Sequence, residues 1–327
     1  MRVTRRFVLG GLAAAAATPA LGAPPATSLR PSPRPADFLK RTVRPAEELI
    51  ARAELGGKVA YAVADARTGE ILEARKPILP LPPASVTKSV TALYALDALG
   101  AGHRFRTRLV ATGPVRDGII EGDLALVGGG DPTLDTDTLG DMAKALKVQG
   151  ITGVSGRFLV DASALPAIWS IDPGQPDHVG YNPAISALNL NYNRVHFQWE
   201  RGADGYSVSL DARAERFSPQ VDIARMTVVD REMPVYTYSD AGSSDEWTVA
   251  RPALGNAGSR WLPVRKPHLY AGEVFQTLAR AEGLALPAAV AVEDPVAGEV
   301  LVERVSDELR DILEGMLRWS TNLTAEV

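Results

Sequence analysis

Apolar and polar positions alternate at two different periods along this chain, and the changes of period divide it. Val59, Tyr61 and Val63 alternate with smaller or polar residues, Asp65-Ala66-Arg67-Thr68-Gly69 supplies a turn, and Ile71 and Leu72 resume the apolar run. That pattern predicts a hairpin. Upstream of it, Asp37–Ala53 has helical spacing interrupted around Pro45. From Ser85 to Leu99 the period becomes that of a helix, with Val86, Val90, Leu93 and Leu96 as an apolar stripe expected to pack in a core. Gly100 follows, suited to the left-handed position that closes a helix. Between 105 and 295 short alternating runs return at Leu109–Ala111, Leu124–Val127, Phe158–Val160, Tyr206–Leu210 and Met226–Val229, set between Gly, Asp and Pro turns. Helices are expected there at Leu139–Leu146 and Tyr270–Glu282, and no repeat of fixed period is found. The last stretch, Ser306–Val327, is helical again, with Leu309, Ile312, Leu313, Met316 and Leu317 on one face. Asp307 and Glu308 are expected in its first turn, where the helix dipole favours negative charge.

The N-terminal residues do not fit this scheme. Arg2, Arg5 and Arg6 precede an apolar run from Phe7 to Ala17 that is too short to span a bilayer, and small residues follow. Residues 1–22 therefore read as an export signal cut after Gly22. The Arg5-Arg6 pair resembles a twin-arginine signal, and an ordinary Sec leader fits the same residues. Residues 23–36 are proline-rich and read as an extended linker. With no other long apolar run, the expected location is the periplasm, without a transmembrane anchor.

Composition narrows the chemistry. The 327 residues carry a formal charge of −4, and loss of the leader removes three arginines and no acid, leaving −7. No basic stripe or aromatic–basic cluster suggests nucleic acid. The absence of cysteine excludes disulfides and thiolate chemistry. The four histidines, His103, His178, His196 and His268, form no H-x-x-x-H or H-E-x-x-H pair, which argues against a zinc hydrolase. The Gly128-Gly129-Gly130 run lacks the spacing of a phosphate loop and reads as a turn, with Asp131-Pro132 as a structural corner. Asp172 and Asp177 read as solvated loop acids.

Ser85-Val86-Thr87-Lys88 is the strongest candidate for chemistry. It places a hydroxyl and an amine one helical turn apart on the same face. A serine hydroxyl becomes a useful nucleophile when a neighbouring base takes its proton, and a lysine can be that base if its surroundings favour the neutral amine. Free N–H groups at the start of a helix can also stabilise an oxyanion. The S-x-x-K pattern alone arises about once by chance in a chain this long, so context carries the weight: the motif opens an apolar helix, follows Leu81-Pro82-Pro83-Ala84, and comes soon after the hairpin.

With that context the chain resembles the class C low-molecular-mass penicillin-binding proteins, D-alanyl-D-alanine carboxypeptidases and endopeptidases. Besides L-P-P-A-S-V-T-K, three stretches are similar to family segments: Gly122–Leu134 (GDLALVGGGDPTL), Pro183–Asn191 (PAISALNLN) and Ser320–Glu326 (STNLTAE). The resemblance runs from about Phe38 to the end of the chain. It implies an α/β penicillin-binding domain of the serine β-lactamase/transpeptidase type, formed by 37–104 and 296–327 and split by a β-rich insertion at 105–295. A further module is expected to nest within that insertion near 165–260. The implied reaction is acyl transfer from peptidoglycan stem peptides, with β-lactams trapping the same serine. The implied roles are Ser85 as nucleophile, Lys88 as base, Ser320 in proton transfer to the leaving group and Asn322 in holding the substrate amide and Lys88. No metal or organic cofactor is implied.

One family motif is missing. No Lys-Thr-Gly occurs, and only five residues follow Asn322. The expectation is therefore a fragment with impaired activity. A non-catalytic peptidoglycan-binding homologue and a serine β-lactamase are the alternatives.

Overall fold

The computed structural model describes residues 44–327. The predicted leader and linker lie outside the described residues, as does the first part of the Asp37–Ala53 segment. The chain divides into two compact units after Pro82. In the first, helix α1 (Ala46–Arg52) precedes an antiparallel hairpin of β1 (Tyr61–Ala64) and β2 (Ile71–Arg75), in which Tyr61 stands opposite Arg75. The Asp65 carboxylate closes the turn by accepting from the Arg67 and Thr68 amides, and those bonds hold its pKa below the usual value.

The second unit opens with a tight 3-10 turn, Ala84–Thr87, that runs into α2 (Lys88–Leu99) and ends at Gly100 with φ of 83°. The chain continues through β3 (Arg106–Ala111), β4 (Val115–Arg116), β5 (Ile119–Ile120), β6 (Leu124–Val127), α3 (Thr136–Val148), β7 (Gly153–Val154) and β8 (Phe158–Asp161). After a long irregular segment come β9 (Arg194–Gly202), β10 (Gly205–Asp211), β11 (Ala224–Val229), β12 (Tyr236–Asp240), β13 (Asp245–Ala250) and β14 (Ala257–Pro263). It closes with α4 (Pro267–Ala281), β15 (Ala289–Val292), β16 (Glu299–Val305), α5 (Leu309–Trp319) and α6 (Asn322–Glu326).

A five-stranded sheet of order β15-β8-β6-β3-β16 forms the centre, parallel at its β15, β8 and β6 end and antiparallel at the other. Its middle strand is apolar at successive positions, and Leu124, Ala125 and Leu126 are fully buried. That is the pattern of a strand covered on both faces. Amphipathic α3 and α4 supply Leu139, Met142, Tyr270 and Phe275 to the same core. Two smaller three-stranded sheets, β10-β9-β14 and β11-β13-β12, extend that core through Phe197, Leu262, Trp247 and Val249.

The predicted strands and both predicted internal helices are present, with ends moved by no more than three residues. Three expectations need correction. The helix expected from Ser85 begins as a 3-10 turn, so regular α-helix starts at Lys88. Asp307 and Glu308 precede α5 rather than occupy its first turn, because Glu308 is extended and caps it. The Val86, Val90 and Leu93 stripe is 66–74% exposed, and Leu96 is half-buried. The buried side of α2 consists of Lys88 and Ala92, with Ala95 and Leu96 beside them, packed on Leu309, Leu313 and Met316 of α5. Apart from Leu96, the α2 side of this contact is small or polar, so bulk does not select the inner face.

The glycine run packs tightly. A Cβ at Gly128 or Gly129 would lie 2.4 Å from the Ala187 or Arg106 carbonyl oxygen. Asp131 forms the expected buried corner and caps the Thr133 amide and hydroxyl at 2.8 and 2.7 Å. Asp131 and Leu188 form an isolated β-bridge, which sets two of the sequence motifs side by side.

Candidate active site

Two connections bring the ends of this unit together. The loop from α2 to β3 lies beside the loop from β16 to α5, because β3 and β16 pair with Arg106 opposite Val305. Main-chain bonds from Ser306 to Phe105, Leu309 to His103 and Arg310 to Ala101 tie the two loops. The Ser306 hydroxyl also accepts from the Phe105 amide at 2.9 Å. This junction sets α5 against α2, with its C-terminal end directed to the start of the 3-10 turn.

At that end Ser320 adopts a left-handed conformation, φ 56° and ψ 39°, which ends α5 before α6 begins at Asn322. A non-glycine residue there costs about 1–2 kcal/mol. The bend returns both polar side chains to Ser85 and Lys88. Ala84, immediately before the nucleophile candidate, is also left-handed at φ 46°. Backbone strain thus sits on both approaches to the site, as is common where geometry is imposed for chemistry.

The four residues form one hydrogen-bonded group. Lys88 Nζ donates to Ser85 Oγ at 3.3 Å and to Asn322 Oδ1 at 2.7 Å. Ser320 Oγ donates to Ser85 Oγ at 2.7 Å. Asn322 Nδ2 donates to the main-chain carbonyl of Tyr181 at 3.0 Å, which fixes which end of the amide faces the lysine. Ser85 and Ser320 are exposed, while Lys88 is only 8% exposed. Among the described residues no carboxylate pairs with Lys88, so both of its partners are neutral.

All four residues singled out in the sequence therefore meet. Asp172 and Asp177 do not join them. Asp172 caps its own loop, accepting from Gly174 N at 2.8 Å and Gln175 Nε2 at 3.2 Å. Sequence reasoning missed Tyr181, and no residue-type signal could have found it, since it contributes a backbone carbonyl. It also missed a pocket of about 120 Å³ beside the site, lined by Tyr181, Tyr192, Arg194 and Trp319 together with Ser320 and Asn322. Among the described residues no set of three histidine or acidic side chains converges as a metal site, and no helix is long and apolar enough to cross a membrane.

Residues 44–327 match the family model for the D-Ala-D-Ala carboxypeptidase 3 (S13) family. Over its whole length the chain is 30% identical to a D-alanyl-D-alanine carboxypeptidase of Actinomadura sp. (strain R39), of which it covers 64%. It is 26% identical to the D-alanyl-D-alanine carboxypeptidase DacB of Haemophilus influenzae, over 74% of this chain and 52% of that one. The crystal structure of penicillin binding protein 4 (dacB) from Haemophilus influenzae superposes with a TM-score of 0.66 at 21% identity, covering 86% of this chain and 64% of that one. The fold is thus the mixed α/β penicillin-binding fold with additional β-rich regions, and the chain spans less than two thirds of the length of these curated relatives. The chain belongs to the D-Ala-D-Ala carboxypeptidase 3 (S13) family.

Proposed function

We propose that the protein is a serine D-alanyl-D-alanine carboxypeptidase or endopeptidase that acts on peptidoglycan stem peptides through an acyl-enzyme. The observation that carries this reading is the group in which Ser85 Oγ lies within hydrogen-bond reach of both Lys88 Nζ and Ser320 Oγ. Lys88, as the neutral amine, takes the Ser85 proton while Oγ bonds to the carbonyl carbon of the penultimate D-alanine. N–H groups at the start of the 3-10 turn, that of Ser85 among them, stabilise the oxyanion. As the peptide C–N bond breaks, the leaving amine receives a proton relayed through Ser320. Water then attacks the ester and regenerates the Ser85 hydroxyl. Asn322, held by Tyr181, keeps Lys88 in place and offers its amide to the substrate.

A β-lactam carries the same electrophilic carbonyl and is proposed to acylate Ser85 and stay there. The segment 105–295, with an inner module near 165–260, is proposed as an insertion between the two parts of the penicillin-binding domain. The central sheet joins strands from both sides of residue 295. Periplasmic location is proposed from residues 1–22 alone.

The test is the intact mass of the protein before and after exposure to benzylpenicillin. One adduct, lost in Ser85→Ala, is the expected result. No adduct on the folded protein would overturn the reading in favour of a non-catalytic peptide-binding relative. Rapid turnover of the antibiotic would instead point to a β-lactamase.

A further inference from the structure

Asn191, Tyr192 and Asn193 take three successive left-handed conformations, with φ of 51°, 57° and 52°. Asparagine tolerates that region, whereas tyrosine rarely visits it. The two asparagines hold the turn by using up their side chains. Asn191 accepts from the Thr136 amide at 3.1 Å and donates to its hydroxyl at 2.8 Å. Asn193 accepts from the Leu190 amide and donates to the Ala184 carbonyl, both at 2.9 Å. The outcome is that Tyr192 and Arg194 line the same small pocket beside Ser320 and Asn322. A strained conformation held from both sides suggests that the placement of Tyr192 is functional.

Arg194 is the anomaly in that pocket. Its guanidinium lies 5.2 Å from the Tyr192 ring and 5.2 Å from the Trp261 ring. Among the described residues it makes no hydrogen bond or ion pair, and its Nε is buried without a partner. The Nε of Arg213 and Arg265 is likewise buried without a partner, but those side chains and Lys266 have partners through their other nitrogens. Lys266 meets Asp240 and Asp245, Arg213 meets Asp211, and Arg265 donates to the carbonyls of Trp169, Asp177 and Asn182. Burial pushes the Arg194 guanidinium below its usual pKa, yet an arginine keeps its charge in proteins. A charge taken out of water without a counterion is costly, and an anion arriving in the pocket would relieve that cost.

We propose that Arg194, seated on Tyr192 and open to this pocket, anchors a subsite for a carboxylate of the peptide substrate outside the reacting bond. The subsite selects acidic peptides, and it rests on the acyl-transfer reading of the neighbouring serine. The pocket, about 120 Å³, has room for a carboxylate on a short stem. The guanidinium fork matches a carboxylate in two parallel hydrogen bonds.

Tryptophan fluorescence tests this without any turnover, because Trp261 lies against Arg194 and Trp319 lines the pocket. Ser85→Ala protein is titrated with glutarate, and with glutaramide as the neutral analogue. Saturable binding of glutarate and not of glutaramide is expected. It should weaken with salt and by about tenfold or more in Arg194→Gln. Arg194→Lys retains the charge without the fork, is expected to bind at intermediate strength, and serves if the glutamine variant does not fold. Equal responses to the two probes, or glutarate binding that survives Arg194→Gln, would overturn the subsite.

A second arm compares acylation of the unmodified protein by two penicillins that differ only in a side chain ending in carboxylate or in carboxamide. The carboxylate should react about tenfold faster, and Arg194→Gln should remove that preference. If neither penicillin reacts while glutarate still binds, the acyl-transfer reading falls and the subsite stands. If both react equally and glutarate does not bind, the subsite falls and the acyl-transfer reading stands.

Discussion

Lys88 and Lys266 are buried to nearly the same degree, 8% and 9% exposed, but their surroundings differ in kind. Lys266, just before α4, donates to Asp240 at 2.7 Å and to the fully buried Asp245 at 3.2 Å. Burial alone would pull its ammonium down, but the hydrogen bond to Asp240 and the charge of Asp245 outweigh it and hold the pKa above its usual value. Asp245 is in turn fixed by the Arg265 amide and the Tyr238 hydroxyl. Lys88 has only a hydroxyl and an amide oxygen. One lysine is locked as a cation by acids, while the other sits where neither charge state has an ionic partner. Lys88 Nζ touches the Ser85 hydroxyl and is placed to exchange a proton with it, whereas Lys266 ties the ends of β12 and β13 to the start of α4.

The largest expected effect falls on that contrast. Lys88→Met should lower the rate of acylation by penicillin by about 10²–10⁴-fold, the range for loss of a general base, with the melting temperature little changed. An unchanged rate would remove Lys88 from the mechanism. Lys266→Met should do the reverse. It leaves the Asp245 carboxylate buried without its cation, a loss of about 3–5 kcal/mol in urea unfolding, while acylation per folded molecule stays near the original rate. If Lys266→Met proves neutral to stability, the comparison between the two lysines collapses.

A smaller effect concerns pH. His178, His196 and His268 are all held below the usual histidine value of 6.5, chiefly by burial. The folded state therefore takes up fewer protons at these imidazoles than the unfolded chain once the pH drops below 6.5, and their contribution to stability falls as acid is added. Lys266 has the opposite sign. Its raised pKa gives stabilisation that is complete below 10.5 and is lost only as the pH climbs through the folded value above that. The charge of Lys266 is also the second cause of the His268 shift. Urea midpoints measured from pH 8 to pH 5 should fall in the original protein and fall less in His268→Gln. A flat profile would show that these imidazoles remain solvated.

How much of this was legible in the sequence depends on distance along the chain. Ser85 and Lys88 are three residues apart on one turn, so their spacing alone brought them together. Ser320 and Asn322 were found by resemblance, but the left-handed bend at Ser320 that turns them toward Lys88 leaves no trace in the apolar periodicity of α5. The partners of Lys266 lie 26 and 21 residues away at the ends of β12 and β13, and nothing in the residue types marks Lys266 as structural. Arg194 was overlooked for the complementary reason: its defining property is a missing partner, which only packing reveals. Tyr181 acts through an oxygen that every residue carries.

The apolar stripe of α2 is where periodicity misled most directly, and it gives the smallest predicted effect. Val86, Val90 and Leu93 lie on the side of the helix away from Lys88, while the residues that meet α5 include Ala92 and Ala95. In α4, by contrast, the bulky Tyr270, Val274, Phe275 and Leu278 are buried together with Ala271, Gly272 and Ala279, so the large apolar side chains lie on the packed face there and off it beside the site. The divergence follows from the site, because Lys88 faces inward to Asn322 and the positions on its side of the helix, Ala92 and Ala95, are small. Val90→Ser and Leu93→Ser, each on an exposed position, should then shift unfolding free energy by no more than about 0.5 kcal/mol and leave acylation unaltered. A loss of about 1.5–3 kcal/mol at either position, the scale of a fully buried aliphatic side chain, would mean that this face is covered in the protein in solution. The inner face of α2 would then no longer be its only packed side, and the helix would be clamped from both directions with the nucleophile at its tip.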